Sequence, residues 1–186
     1  ALAGHKGSGK TSVAESMLYL TGNVSRLGKI EEGNTSLDYD PEEVKRKSSV
    51  LTAVAPVEWK NAKINLIDTL GLFDFAGGIA EGMRAAESVL VVVSGKDGVD
   101  VGTEKAVNMA TEMGKTKMFF VNGLCDESAR FYRVFEDLKT VFGPAVCPVV
   151  VPYINDGKAE VYVNLFEYRA YKYSEGGKVE PTDMPD

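Results

Sequence analysis

The stretch that decides the fold reads Gly4-His5-Lys6-Gly7-Ser8-Gly9-Lys10-Thr11. It fits the pattern of a glycine, four further residues and then Gly-Lys-Thr, which is typical of a loop that binds phosphate. The apolar residues 1–3 before it predict the end of a strand, and residues 11–20 after it have the apolar spacing of a helix. The helix residues predicted to face the core are Val13, Ala14, Met17, Leu18 and Leu20. Because the motif needs a strand, a glycine-rich turn and a helix in this order, the sequence predicts a nucleotide-binding site rather than a flexible turn.

The chemistry of such a loop follows from its backbone. Glycines let successive N–H groups approach an anion, and the start of the helix adds the positive end of its dipole. The ammonium of Lys10 would reach the β- and γ-phosphates of a nucleotide, and the hydroxyl of Thr11 would bind Mg²⁺. The sequence therefore predicts a nucleotide and Mg²⁺ as ligands.

Composition excludes several other classes of protein. A net charge of −6 over 186 residues argues against direct, sequence-specific binding of nucleic acid. The two cysteines, Cys125 and Cys147, lack the spacing of a metal site or a disulfide framework, which favours the reducing cytoplasm. The apolar runs are too short to span a membrane. The single histidine, His5, lies inside the phosphate loop, which argues against Ser-His-Asp chemistry and histidine-based metal sites.

Residues 23–49 show no sustained apolar period and are rich in charge. Loops of this length inside compact domains are usually functional lids or disordered segments. Within them, Asp40-Pro41-Glu42-Glu43 predicts a helix start with a capping aspartate, a proline and acids in the first turn. The sequence leaves two alternatives open: a solvated loop, and a switch segment that orders around a bound nucleotide.

Residues 50–59 and 63–67 alternate like two strands joined by a turn at 60–62. The second strand runs into Asp68-Thr69-Leu70-Gly71. In nucleotide switches this aspartate holds the Mg²⁺ shell, and the glycine N–H senses the γ-phosphate. The Asp-x-x-Gly pattern is weak alone, but it becomes specific when it follows a phosphate loop across a strand pair.

The middle of the chain alternates between helices and strands. Helices are predicted near 77–86 and 103–113, and continuous apolar strands at 89–93 and 117–121. Strands of this kind suit a parallel sheet that is covered on both faces. We therefore predict an α/β fold of the P-loop NTPase type, with three layers and a mostly parallel sheet.

The last third of the chain adds one helix and a different sheet. The stripe that predicts a buried helix face consists of Phe131, Val134, Phe135, Leu138, Val141 and Phe142. A further strand is predicted at 148–151, and short alternating runs from 158 onwards predict a small antiparallel add-on. We expect the P-loop core to cover residues 1–152 and the β-rich part to cover 153–186.

Several segments together resemble the GTPase domain of translation factors, most of all its elongation factor G-like branch. Besides the phosphate loop they are Ile30-Glu31-Glu32-Gly33-Asn34-Thr35, Asp38-Tyr39-Asp40-Pro41-Glu42-Glu43, Asn65-Leu66-Ile67-Asp68-Thr69, Gly71-Leu72-Phe73-Asp74-Phe75, Gly98-Val99-Asp100-Val101-Gly102-Thr103-Glu104 and Phe120-Val121-Asn122. The resemblance covers nearly the whole chain. It implies a Mg²⁺-dependent hydrolase of GTP that docks on the ribosome, and a cytoplasmic monomer with GTP or GDP as its ligand.

The resemblance also implies roles for individual residues. The implied nucleotide contacts are Gly4, His5, Lys6, Gly7, Ser8, Gly9, Lys10, Thr11, Ser12, Asp68, Thr69, Leu70, Gly71, Leu72, Asn122, Gly123, Leu124, Cys125 and Asp126. The implied Mg²⁺ ligands are Thr11, Asp68 and Ser49, which stands where the family has its first-switch threonine. Lys10 is the implied catalytic cation. The β-rich end resembles the start of the subdomain inserted in elongation factor G, so we expect a fragment of a longer, multidomain protein.

This sequence departs from the family where hydrolysis and base choice are decided. Leu72 stands where the family histidine positions the attacking water, and leucine forms no hydrogen bonds. Gly7 replaces an aspartate of the phosphate loop. In the guanine-reading Asn-Lys-x-Asp element, Gly123 replaces the lysine and Cys125 the aspartate, with Asp126 one residue late.

Two functions therefore remain open. The first is a translation-factor GTP hydrolase. The second is a degenerate nucleotide-binding and ribosome-interaction module with weak hydrolysis and relaxed base specificity. A P-loop kinase or ATPase is a weaker third alternative, which the Asp-x-x-Gly spacing and the long loop disfavour.

Overall fold

The structure, a computed structural model, describes residues 1–71, 76–126, 128–155, 158–174 and 178–185. The chain divides into two compact units, Ala1–Asn122 and Gly123–Asp186. The boundary expected from the sequence near residue 152 stays a prediction.

Strands and helices alternate along the first unit. Its elements are β1 (Leu2–Ala3), α1 (Lys10–Leu20), α2 (Pro41–Arg46), β2 (Ala53–Trp59), β3 (Ala62–Asp68), α3 (Ala76–Ala85), β4 (Ser88–Ser94), α4 (Val101–Glu112) and β5 (Thr116–Asn122). The strands form one sheet in the order β2-β3-β1-β4-β5, in which β2 and β3 are antiparallel and the other neighbouring pairs are parallel. The predicted α/β fold with a mostly parallel sheet is confirmed.

The antiparallel pair is a hairpin with a two-residue turn. Lys60 and Asn61 have φ angles of 46° and 65°. Positive φ at both positions is the geometry of a type I′ turn, whose twist matches that of the flanking strands. Along β2 the side chains alternate: Val57 is buried, whereas Val54 is exposed.

Strand β4, which lies between β1 and β5, is buried on both faces. Its residues Leu90 and Val92 pack in one apolar cluster with Val13 and Leu18 of α1. Val89, Val91 and Val93 alternate with them and are also buried. Helix α1 therefore covers one face of the sheet, while Leu20 at its end is 59% exposed, so the prediction that Leu20 faces the core is wrong.

The predicted helix start within residues 23–49 is confirmed. The side chain of Asp40 accepts a hydrogen bond from the Glu42 N–H, Pro41 occupies the first turn of α2, and Asp40 and Glu43 form a reciprocal capping box. The only other regular piece of this segment is a 3₁₀ turn at Ile30–Glu32. Most of the backbone N–H and C=O groups of this segment therefore lie outside the regular hydrogen-bond patterns of helices and sheets.

The second unit contains one helix and an antiparallel sheet. Its elements are α5 (Phe131–Phe142), β6 (Val150–Asn155), β7 (Lys158–Asn164), β8 (Arg169–Tyr173) and β9 (Val179–Thr182), with the strands in sequence order. The strand predicted at 148–151 is observed from Val150, and it pairs with β7 in this antiparallel sheet.

The apolar stripe of α5 is buried only in part. Phe131, Val134 and Leu138 are buried as predicted, whereas Val141 is 47% exposed and that prediction is wrong. The last turn of α5 turns part of the stripe outwards. Within the described part of the chain, no helix is long and apolar enough to cross a membrane.

Candidate nucleotide and magnesium site

The phosphate loop connects β1 to α1 and has a conformation that requires glycine. A Cβ atom on Gly4, which has φ +141°, would lie 2.3 Å from the Val92 carbonyl oxygen of β4. A Cβ atom on Gly9, which has φ +90°, would lie 2.1 Å from Asn122 Nδ2. A side chain at either position would push the loop away from the sheet, so these two glycines determine where the loop lies.

Lys10 lies across the loop that it belongs to. Its Nζ donates hydrogen bonds to the carbonyl oxygens of Gly4 at 3.1 Å and His5 at 2.9 Å. Burial lowers the pKa of the Lys10 ammonium, which nearby carboxylates oppose. A Cβ atom on Gly71 would lie 2.7 Å from this Nζ. The end of the Asp-x-x-Gly motif therefore lies against the phosphate loop, as expected for a site that senses the last phosphate.

Thr11, Asp68 and Ser49, the three predicted Mg²⁺ ligands, come together in the structure. Thr11 Oγ1 donates to Asp68 Oδ2 at 2.7 Å and lies 3.1 Å from Ser49 Oγ. Ser49 Oγ donates to Asp38 Oδ1 at 2.6 Å, which adds a fourth side chain to the group. Residues from α1, the end of β3 and the irregular segment therefore form one polar cluster.

Both aspartates of this cluster carry a buried oxygen that lacks a partner among the described residues, Oδ2 of Asp38 and Oδ1 of Asp68. Burial raises the pKa of Asp68 to about 6 and also raises that of Asp38. Lone-pair oxygens held in a buried position are costly unless a cation or a donor satisfies them. The pair of unsatisfied oxygens beside two hydroxyls therefore fits a hard cation.

The composition of the cluster favours Mg²⁺ over metals that need more protein ligands. Within the described residues no group of three or more His, Cys, Asp or Glu side chains is placed to hold a metal. Mg²⁺ in nucleotide sites is commonly held by one or two carboxylates, together with waters and phosphate oxygens. The residues present therefore fit Mg²⁺ that arrives with a nucleotide.

The raised pKa of Asp68 predicts that Asp68→Asn stabilises the first unit in the absence of metal. The pKa rises from 3.8 in the unfolded chain to about 6 in the fold. Since a pKa unit is worth about 1.4 kcal/mol, the ionised form costs roughly 3 kcal/mol. The free energy of unfolding therefore falls as the pH rises from about 4 to about 6. Asparagine does not ionise, so Asp68→Asn does not lose this stability.

Hydrogen exchange of β4 amides in the full-length protein, with a chelator present, measures this difference. We expect Asp68→Asn to be more stable than wild type above pH 6 and equally stable below pH 4. The change Asp137→Asn, at a half-exposed position on α5, is the control. The same stability for wild type and Asp68→Asn at pH 8 would contradict the prediction.

The predicted contacts do not all meet at this site. Thr69 is fully buried and donates its hydroxyl to the Leu2 carbonyl oxygen at 2.7 Å, and Leu70 is buried too, so these two side chains support the fold. His5 lies 3.7 Å from Asp100, the residue that caps α4. Leu72 lies outside the described residues, and its role stays a prediction.

The residues predicted to read guanine belong partly to the first unit and partly to the second. Asn122, at the end of β5, donates from Nδ2 to the Ser8 carbonyl oxygen at 3.0 Å and so holds the phosphate loop. Residues 123–126 belong to the second unit, where Asp126 Oδ1 accepts the Ser128 N–H at 2.8 Å and Cys125 is exposed. Base recognition by these residues stays a prediction.

These observations describe a glycine-rich loop with a buried lysine, a cluster of hydroxyls and carboxylates that fits a hard cation, and Gly71 beside the lysine. A family model described as the elongation factor Tu GTP binding domain matches residues 1–181. The chain belongs to this family.

Named relatives of this GTP-binding domain include factors of translation. An elongation factor G-like protein of Thermotoga maritima is 39% identical over 100% of this chain and 26% of its own length. The mitochondrial ribosome-releasing factor 2 of Yarrowia lipolytica is 32% identical over 88% of this chain and 20% of its own length. A crystal structure of a Thermus thermophilus protein matches with a TM-score of 0.93 and 38% identity, over 99% of this chain and 27% of that one. The chain thus spans about a quarter of the length of the first of these relatives.

Three buried acidic residues close to the site of this GTP-binding domain were not among the site residues predicted from the sequence. Asp38, Glu15 and Glu43 are at most 5% exposed. Glu15 interrupts the apolar face of α1, which is a sign of a buried charge, and Glu43 occupies the last position of a capping box. No comparable pattern marks Asp38, because it lies in irregular backbone.

Proposed function

We propose that this chain binds and hydrolyses GTP as part of an elongation factor G-like translation factor that acts on the ribosome. The observation that carries the proposal is the cluster of Thr11, Ser49 and Asp68 beside a complete phosphate loop. The match of residues 1–181 to the GTP-binding family supports it, as do the names of the relatives. The rest of the proposal is that the core covers 1–152, that 153–186 begin an inserted subdomain, and that the protein is a cytoplasmic monomer.

The residues have separate tasks in this proposal. The N–H groups of residues 4–11 surround the phosphates, and Lys10 exchanges its two carbonyl acceptors for phosphate oxygens. Thr11 and Ser49 would hold Mg²⁺ directly, with Asp68 and Asp38 accepting hydrogen bonds from its waters or joining its shell. The ion supplies neutralisation of the charge that develops on the phosphate oxygens. Gly71, next to Lys10, would donate its N–H to the γ-phosphate.

Hydrolysis of radiolabelled GTP by the full-length protein tests the proposal. We expect slow release of phosphate without ribosomes and faster release with them, both dependent on Mg²⁺. Thr11→Ala is the matched control, because it removes one hydroxyl from the site. No phosphate release under either condition would contradict the proposal of a hydrolase and would favour the binding module.

One observation favours the second candidate function, a nucleotide-binding module with relaxed base specificity. The carboxylate of Asp126 accepts both the N–H and the hydroxyl of Ser128, so it forms a local turn. Cys125 offers a thiol, which is a poor hydrogen-bond acceptor. Neither side chain is then a ready acceptor for guanine.

We therefore predict weak discrimination of GTP over ATP, which the double change Gly123→Lys and Cys125→Asp partly restores. A hydrogen bond to a charged group is worth about 1.5–3 kcal/mol, so the gain is roughly 10- to 150-fold in preference for guanine. Competition binding of GTP and ATP to the full-length protein measures it, with Cys147→Asp as the control. A wild-type preference for GTP of several orders of magnitude would show this prediction to be wrong.

A further inference from the structure

Two buried glutamates outside the Mg²⁺ cluster hold irregular backbone. The first, Glu15, lies on α1 one turn after Thr11 and is fully buried. Its Oε1 accepts the backbone N–H of Ser36 and that of Leu37, the latter at 3.0 Å, and its Oε2 lies 3.4 Å from Ser36 Oγ. A carboxylate that is buried in this way is stable only while these donors stay in place.

The second glutamate repeats this arrangement from α2. Glu43 is 2% exposed, and its Oε1 accepts the backbone N–H of Val50 at 2.9 Å and of Leu51 at 3.0 Å. Its Oε2 accepts the Asp40 N–H at 3.2 Å, which closes the capping box. Each glutamate thus holds two successive N–H groups with one oxygen.

The donors of both glutamates lie next to the cluster. Ser36 and Leu37 directly precede Asp38, while Val50 and Leu51 directly follow Ser49. These donors lie outside every helix and strand of the structure, so no backbone ladder fixes Asp38 and Ser49. The two carboxylates instead accept the backbone N–H groups on either side of the hydrogen bond between Asp38 and Ser49.

We propose that Glu15 and Glu43 are positioning residues that hold Asp38 and Ser49 against Thr11 and thereby set the Mg²⁺ affinity of the nucleotide complex. The inference rests on the proposed nucleotide site. It assigns to these glutamates no contact with nucleotide or metal. Hydrogen-bond partners of this kind, one step removed from the metal, typically change its affinity about 10- to 100-fold when removed.

The experiment measures GDP binding by the full-length protein, once with Mg²⁺ and once with EDTA. The ratio of the two dissociation constants is the gain due to Mg²⁺. We expect Glu15→Ala and Glu43→Ala each to lower this gain about 10- to 100-fold and to leave affinity in EDTA unchanged, because Lys10 and the loop are intact. Glutamine keeps one acceptor oxygen, so Glu15→Gln and Glu43→Gln are expected to lose less, roughly 3- to 10-fold.

The chain offers matched controls on the same helices. Glu42 is the exposed neighbour of Glu43 and pairs with Arg46. Ser16 follows Glu15, and its hydroxyl donates to the Ser12 carbonyl oxygen. Glu42→Ala and Ser16→Ala are expected to keep the full gain. A general loss of stability would lower the affinity equally in Mg²⁺ and in EDTA.

The outcomes separate this inference from the proposed function. Wild-type protein that binds no GDP overturns the proposed function, and the inference with it. If the wild type shows a gain due to Mg²⁺ and the alanine variants show the same gain, the inference alone is overturned. Alanine variants that lose affinity equally in Mg²⁺ and in EDTA overturn it as well. If the alanine variants fail to fold, the glutamine variants decide, and an undiminished gain in both of them overturns the inference.

Discussion

Lys10→Ala in the full-length protein is expected to abolish stabilisation by nucleotide. In the structure the buried ammonium has only the carbonyl oxygens of Gly4 and His5 as hydrogen-bond acceptors among the described residues. Phosphate oxygens are better partners, since a hydrogen bond between charged groups is worth about 1.5–3 kcal/mol. Two such bonds correspond to roughly 10²- to 10⁴-fold in affinity.

Thermal unfolding in the presence of GDP and Mg²⁺ measures the effect. Ligand at a hundred times its dissociation constant stabilises the native state by about 2.7 kcal/mol, and the variant should show at most about 0.4 kcal/mol at the same concentration. Lys63→Ala, an exposed change on β3, is the control. If the melting temperature of the wild type does not shift with millimolar GTP, GDP or ATP, the phosphate loop does not bind nucleotide and the predicted site is wrong.

Leu72→His is expected to accelerate GTP hydrolysis by about 10²- to 10⁴-fold, the usual worth of a residue that orients water or moves its proton. The reason lies in the sequence, since leucine at the position of the family histidine has neither a donor nor an acceptor. Single-turnover hydrolysis by the full-length protein with ribosomes present isolates this step from nucleotide exchange.

The control for this variant is Leu27→His, which adds the same side chain at a partly exposed position in the irregular segment. It should leave the rate at the wild-type value. A Leu72→His variant no faster than wild type would mean that the ribosome or another segment supplies the missing group.

Local sequence signals predicted most of the first unit because the relevant physics is local. The positive φ angles of Gly4 and Gly9 are a property of their own backbone, and the Asp40 cap depends on its next three residues. Leu20 was misplaced because helical spacing does not show where the sheet ends beneath a helix. The strand from Val150 was expected without its partner, since strand pairing over distance leaves no periodic trace.

The residues of the candidate site that belong to a sequence motif could be predicted, and the others could not. Thr11 and Asp68 follow from their patterns, and Ser49 from its place in the resemblance. Glu15 and Asp38 belong to the same group only because the chain returns to α1 after some twenty residues of irregular backbone. Such tertiary hydrogen bonds have no fixed spacing, so a single sequence does not reveal them.

The buried charges around Lys10 have a consequence for the order in which ligands bind. The carboxylates of Asp38 and Asp68 both act on the Lys10 ammonium, and both side chains are at most 5% exposed. A nucleotide without metal adds anions to an excess of anions, and Mg²⁺ without nucleotide lacks the phosphate oxygens that complete its shell. Each ligand therefore improves the site for the other, and thermodynamic reciprocity makes the two factors equal. We expect Mg²⁺ to raise the affinity for GDP by the same factor by which GDP raises the affinity for the ion.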